Sequence, residues 1–201
     1  MRLIVVRHGE TKENVLGISQ GHKYGELSET GIEQSKKLAQ RLKNEKIDLI
    51  FSSDLKRAKD TTKEIIKYHE VPVFYVKELR ERCRGIFEGK PLEEFDEDRE
   101  KSGLPHSLYK PEGGESLEEV KERIFSFLKN LIENYKNKTI LIVGHGGVNK
   151  IIFSILLSKP IEDIFNTINQ NNACINILEI EDLGKAKIHL INGTNHLENN
   201  F

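Results

Sequence analysis

This 201-residue sequence has two cysteines, no long apolar run and no excess of either charge, and each shortage removes a class of explanation. Cys83 and Cys174 stand far apart and neither belongs to a CxxC pair, so neither a metal-ligand set nor a disulfide framework is expected. They read as ordinary thiols of a reducing compartment. Lys and Arg total 31 against 32 Asp and Glu, a formal net charge of -1. That balance points away from a nucleic-acid partner and requires any anion site to be local. No HExxH or Cys/His spacing supports a metal, and no cofactor is called for. Met1-Arg2 leads at once into an apolar run too short for a signal-peptide core or a membrane span. The expectation is a cytoplasmic protein that needs no membrane. With no internal repeat or linker, residues 1–201 read as a single domain.

What the sequence does hold is the aliphatic run Leu3-Ile4-Val5-Val6, which stops at Arg7-His8-Gly9-Glu10-Thr11. Consecutive β-formers bounded by a turn signal predict a buried strand with Arg7 and His8 at its carboxyl end. In open α/β sheets, ligands bind at that edge. The pattern recurs in Thr139-Ile140-Leu141-Ile142-Val143, which ends in Gly144-His145-Gly146-Gly147. An apolar helix with Val148, Ile151, Ile152, Ile155 and Leu156 follows, so His145 falls between a strand end and a helix amino terminus.

Between these two units, residues 12–27 carry three glycines and no clear period, and read as an extended loop of functional length. Thr30 and Glu33 make a capping-box signature for a helix to about Asn44, with Ile32, Leu38, Ala39 and Leu42 inward. Asp48 to Phe51 predicts a short strand. Ser53 or Asp54 then caps a helix facing inward with Leu55, Ala58, Thr62 and Ile65, which places Arg57 in its first turn. Val71 to Val76 is a third strand candidate, and charges crowd from Glu78 to Arg84 just beyond it. Pro91 to Lys101 reads as a short surface helix, and the whole stretch from about 82 to 114 as a flexible cover. Ser116 and Glu119 form a second capping box, opening a long helix through Tyr135. Residues 173–181 and 185–191 predict an edge hairpin, followed by a frayed terminus. Strands alternating with helices give an α/β class: a three-layer α/β/α domain on a mainly parallel sheet.

Such a sheet brings Arg7, His8, Arg57 and His145 to one edge. Two guanidiniums, two imidazoles and a helix amino terminus suit a phosphate dianion. Histidine attacks phosphorus when one ring nitrogen is unprotonated and the other is held by a hydrogen bond, and either His8 or His145 fits that part. The cations then stabilise the equatorial oxygens. Glu81 can protonate the leaving alcohol and later activate water, a contribution on the order of 10²- to 10⁴-fold. The plain alternatives are that Arg57 is an exposed helix arginine and that Glu81 pairs with Arg80, Arg82 or Arg84 across the surface. His22, His69, His106, His189 and His196 read as surface or loop residues.

These segments resemble the histidine phosphatase superfamily, in the branch of the phosphoglycerate mutases and fructose-2,6-bisphosphatase-like enzymes. The resemblance rests on Arg7-His8-Gly9-Glu10-Thr11 with Asn14, Gln20-Gly21, Leu27 to Gly31, Ser52 to Ala58, Leu79-Arg80-Glu81, Glu88-Gly89-Lys90, Gly113 to Ser116 and Gly144 to Gly147, in that order. It implies that His8 is the nucleophile, that Arg7, Arg57 and His145 complete the phosphate pocket, and that Glu81 is the general acid. It further implies that Asn14, Gln20, Gly21 and the Gly146 backbone surround the phosphoryl group, and that Arg82 reaches the distal part of a small phosphorylated metabolite. The segment after Glu81 lacks the Tyr-Gly-Gly and Leu-Asn-Lys pattern of the mutases, which favours a phosphatase with fructose-2,6-bisphosphatase-like enzymes as nearest kin. A mutase is the alternative, and a non-catalytic phospholigand-binding domain a third reading.

Overall fold

The structure is a computed structural model describing residues 1–23 and 25–198. The chain enters through β1 (Arg2–Arg7), whose four central residues are fully buried. A short helix, α1 (Lys12–Val15), follows, capped by Thr11 with Asn14 returning the bond to the cap backbone. It lies where an extended loop was expected. Four residues are too few to show a period, and only the cap marks it. Helix α2 (Glu29–Leu42) begins earlier than the Thr30 signature predicted: Ser28 Oγ accepts from Gly31 N, which already satisfies the first turn. Ile32 consequently faces outward, while Leu38, Ala39 and Leu42 are buried.

Strand β2 (Leu49–Ser53) leads into α3 (Lys56–Ile65), whose cap residue is Leu55, without a side-chain bond. Neither expected cap serves there in the usual way. Asp54 instead takes a two-pronged bond from Arg80, and Ser53 turns toward His145. After β3 (Val73–Val76) comes α4 (Leu92–Lys101), close to the surface helix expected. Phe87, Phe95 and Tyr109 form a small apolar cluster of their own within the 82–114 segment. Helix α5 (Leu117–Asn134) starts at the predicted Ser116–Glu119 capping box. Then follow β4 (Thr139–Gly144), α6 (Gly146–Leu156), the unanticipated α7 (Ile161–Thr167), and the hairpin β5 (Ile175–Asp182) and β6 (Lys185–Gly193). Beyond residue 191, where a frayed terminus was expected, β6 runs on to Gly193 and a short helical turn covers Asn195–Leu197; residues 199–201 lie outside the described residues.

The strands make one sheet in the order β3-β2-β4-β1-β5-β6. Pairings β3–β2, β2–β4 and β4–β1 are parallel, while β1–β5 and β5–β6 are antiparallel. Alternation along the central strands divides the core. Leu3, Val5, Ile140 and Ile142 pack with α5 and α6 on one face, and Ile4, Val6, Leu141 and Val143 pack with α2 and α3 on the other. This is the three-layer, mainly parallel arrangement expected. Among the described residues, no helix is long and apolar enough to cross a membrane.

Candidate active site

Parallel pairing puts the site together. β1 and β4 run in register, with Arg7 opposite Gly144, so the histidines that follow leave the sheet at the same level. Their rings lie 5.1 Å apart between centroids, at 61°. On the far side of β4, β2 delivers Ser53, and the first turn of α3 delivers Arg57. Gly9 passes tight beneath α2. A Cβ there would lie 2.4 Å from the Gly31 carbonyl oxygen and 2.7 Å from Ser35 Oγ, so any side chain would push His8 or the helix away.

The two imidazoles are held in opposite tautomers. His8 is 3% exposed, and its Nδ1 lies 2.7 Å from the Gly9 carbonyl oxygen, which can only accept. Nδ1 therefore carries the proton and Nε2 the lone pair. In His145, Nδ1 accepts from Arg57 Nε at 3.2 Å, because a guanidinium can only donate, and Nε2 donates to Ser53 Oγ at 2.8 Å. Both His145 nitrogens are thus engaged within the protein. Burial, reinforced by Arg57 and Arg7, holds His8 well below the usual imidazole range, and burial with Arg57 and His8 does the same for His145. Both rings are neutral near pH 7.

Arg57 is 1% exposed, which rules out the exposed-arginine alternative. Besides His145 it donates from Nη2 to the Gly21 carbonyl at 2.8 Å and from Nη1 to the Lys23 carbonyl at 3.5 Å. Burial lowers its pKa to about 10, so it stays charged near neutrality. Arg7 donates from Nη1 to the Gln170 carbonyl at 2.5 Å, and its buried Nε has no partner. Glu81 does not pair with its neighbouring arginines' side chains. One carboxylate oxygen accepts from Arg82 N at 2.9 Å and the other from Gly147 N, in the first turn of α6, at 3.0 Å. Its own carbonyl is held by His22 Nε2 at 2.7 Å and Arg123 Nη2 at 3.2 Å.

The remaining expected residues divide. Asn14 lies beside the β1 end, its Oδ1 accepting from Asn172 Nδ2, which also reaches the His8 carbonyl. Gln20 is buried with its Oε1 unpartnered. Gly21 takes part through its carbonyl on Arg57, and Gly146 opens α6 beside Arg7. Arg82 lines the cavity beside Glu81. It is 4% exposed and gives Nε to the Glu115 carbonyl and Nη2 to the Tyr109 carbonyl, at 2.7 and 2.5 Å, holding the 82–114 segment together. Arg80 gives two donors to Asp54, and Lys110 bonds Glu119. His22 and His106, read as surface residues, are half-buried at or beside it. Ser53, expected only as a helix cap and part of the Ser52 to Ala58 segment, serves His145; Gln170 and Asn172 carried no signal that sequence reasoning could have used. Among the described residues, no group of three or more His, Cys, Asp or Glu is placed to hold a metal ion.

Residues 3–193 match the family model of the histidine phosphatase superfamily, branch 1. The chain belongs to that family. It is 33% identical to phosphoserine phosphatase 1 of Hydrogenobacter thermophilus, over 98% of this chain and 94% of that one. It is 39% identical to the fructose-2,6-bisphosphatase TIGAR of Xenopus tropicalis, over 64% of this chain and 49% of that one. The crystal structure of a putative α-ribazole-5'-P phosphatase from Escherichia coli superposes with a TM-score of 0.86 at 28% identity, covering 96% of each chain. The superposition bears out the expected fold, and the family match together with these phosphatase-named relatives bears out the expected phosphatase activity on phosphomonoesters.

Proposed function

We propose that the protein hydrolyses a small phosphomonoester in two steps, with His8 as nucleophile and Glu81 as general acid and base. His8 Nε2 attacks phosphorus, forming the N–P bond as the P–O bond to the alcohol breaks, and protonated Glu81 gives its proton to the leaving oxygen. Water then attacks phosphorus. Glu81 takes its proton, the N–P bond breaks, and phosphate leaves. Arg7, Arg57 and the α6 amino terminus stabilise the equatorial oxygens, His145 joins them as its Nε2–H turns from Ser53 Oγ to a phosphoryl oxygen, and Asn14, Gln20, Gly21 and Gly146 lie around them.

The observation that carries this reading is the contrast in tautomers: His8 holds its lone pair on Nε2, while both ring nitrogens of His145 are committed to Arg57 and Ser53. Acid quench during turnover of a labelled aryl phosphate should trap phosphohistidine, and His8→Ala should abolish both label and turnover. Full activity in His8→Ala would refute the assignment. Robust interconversion of 3- and 2-phosphoglycerate would favour the mutase, and phosphate binding without label or turnover the non-catalytic domain. The two unpaired thiols, Cys83 and Cys174, support the cytoplasm as its compartment.

A further inference from the structure

A cavity of about 460 Å³ opens beside Arg7, Glu81 and Gly147 and runs outward between the 82–114 segment and α6. We propose that its outer part, through Arg84 and Lys150, recognises a carboxylate on the far end of the substrate, so that this enzyme acts on short phosphomonoesters of carboxylic acids. The inference rests on the phosphatase reading and adds the substrate class.

Arg84 lines the cavity with its guanidinium 4.4 Å from the centre of the Phe95 ring, and its buried Nη1 has no hydrogen-bond partner. A buried charged donor left unpaired is costly, and an anion in the cavity would relieve it. Lys150, on α6, uses one of its three donors on the Phe165 carbonyl at 3.1 Å and sits 5.0 Å over that ring. Burial lowers the pKa of both groups, while the Glu81 carboxylate raises both, so each cation lies within electrostatic reach of the proposed acid. His106 adds no charge, since burial lowers its pKa to about 4. Asp96 is the one carboxylate other than Glu81 among the described lining residues. Arg82 also lines the cavity but gives Nε and Nη2 to the Glu115 and Tyr109 carbonyls. The Asp96 charge, with the apolar rings of Phe95 and Phe165, disfavours a second dianion but leaves room for a monoanion on Arg84 and Lys150.

The test compares substrates that differ only by the carboxylate: O-phosphoserine against O-phosphoethanolamine, and 3-phosphoglycerate against glycerol 3-phosphate. Wild-type kcat/KM should favour each acid by about 10- to 100-fold, the range for a charge-assisted hydrogen bond. Arg84→Met and Lys150→Met should each cut that ratio about tenfold, and Arg84→Lys should retain part of it. The ratio is read in any variant that still turns over an aryl phosphate, so the two sites test the idea separately if one variant fails to fold. Ratios near one in a wild-type enzyme that hydrolyses the aryl phosphate would overturn the carboxylate inference alone. Faster turnover of sugar bisphosphates than of either acid would overturn the choice of a monoanion. No turnover of any phosphomonoester would remove the phosphatase reading and this inference with it.

Discussion

Gly147→Ala isolates the position of the proposed acid from everything else in the site. A Cβ on residue 147 would stand 2.5 Å from Glu81 Oε1, and ordinary contact begins at 3.4 Å, so that oxygen must retreat by about 0.9 Å. The atom that moves is the end of a flexible side chain, and alanine is the better helix former by roughly 1 kcal/mol. Stability should therefore hold or rise slightly. Activity should fall, because a displacement of about 1 Å at a catalytic group costs on the order of 10²-fold. The loss should depend on the leaving group: large for an alkyl phosphate, whose alkoxide needs the proton, and small for an activated aryl phosphate, whose phenolate leaves unaided. Gly146→Ala is the steric comparison, since its Cβ would meet only Arg7, at 3.5 Å, and it should lose far less. The assay is kcat/KM on both substrate types alongside urea melts. Wild-type turnover of the alkyl phosphate by Gly147→Ala would refute the role given to Glu81.

Three further outcomes follow from the same geometry. Glu81→Gln should slow alkyl phosphates about 10²-fold or more while still forming phosphohistidine from an aryl ester, measured as a burst after rapid acid quench. Arg82→Met should loosen the 82–114 segment by about 2–4 kcal/mol, because the Tyr109 and Glu115 carbonyls lose a buried charged donor; limited proteolysis should then cut within that segment. Stability should decline as pH falls below about 6.5. There the unfolded chain takes up protons that His8, His145 and His106, the last with its pKa lowered by burial to about 4, refuse when folded. Urea melts at pH 7 and pH 5 check the sign, and greater stability at pH 5 would contradict it.

The parts of this molecule that could be read in advance are those where periodicity and strand chemistry act locally. β1 and β4 are aliphatic runs with a histidine at each end, so parallel pairing alone brings His8 to His145. Arg57 follows from its place in the first turn after β2, although its burial does not. Glu81 emerged from residue type and resemblance, and its tie to Gly147 N is purely tertiary. The misses have the same origin. Ser28 rather than Thr30 caps α2 because Ser28 also bonds Glu10, across the loop from β1. Asp54 leaves the α3 cap because Arg80, 26 residues away, offers two donors. Gln170 and Asn172 reach Arg7 and the His8 carbonyl from the connection before β5, a contact no local pattern encodes.

The place of β1 in the sheet also bears on how the protein is made. Its partners on either side are β4 and β5, so the first strand of this sheet to be synthesised pairs Leu3 with Ile140 and with Leu178. At roughly 5–20 residues per second of synthesis, that strand waits on the order of ten seconds for its second neighbour. Through that interval the segment is an unpaired, aliphatic β-former with both edges open, which is the form that invites wrong partners. A nascent chain truncated before β5 should expose it to chaperones and proteases, and chains extended through β6 should gain phosphatase activity only when that hairpin has docked.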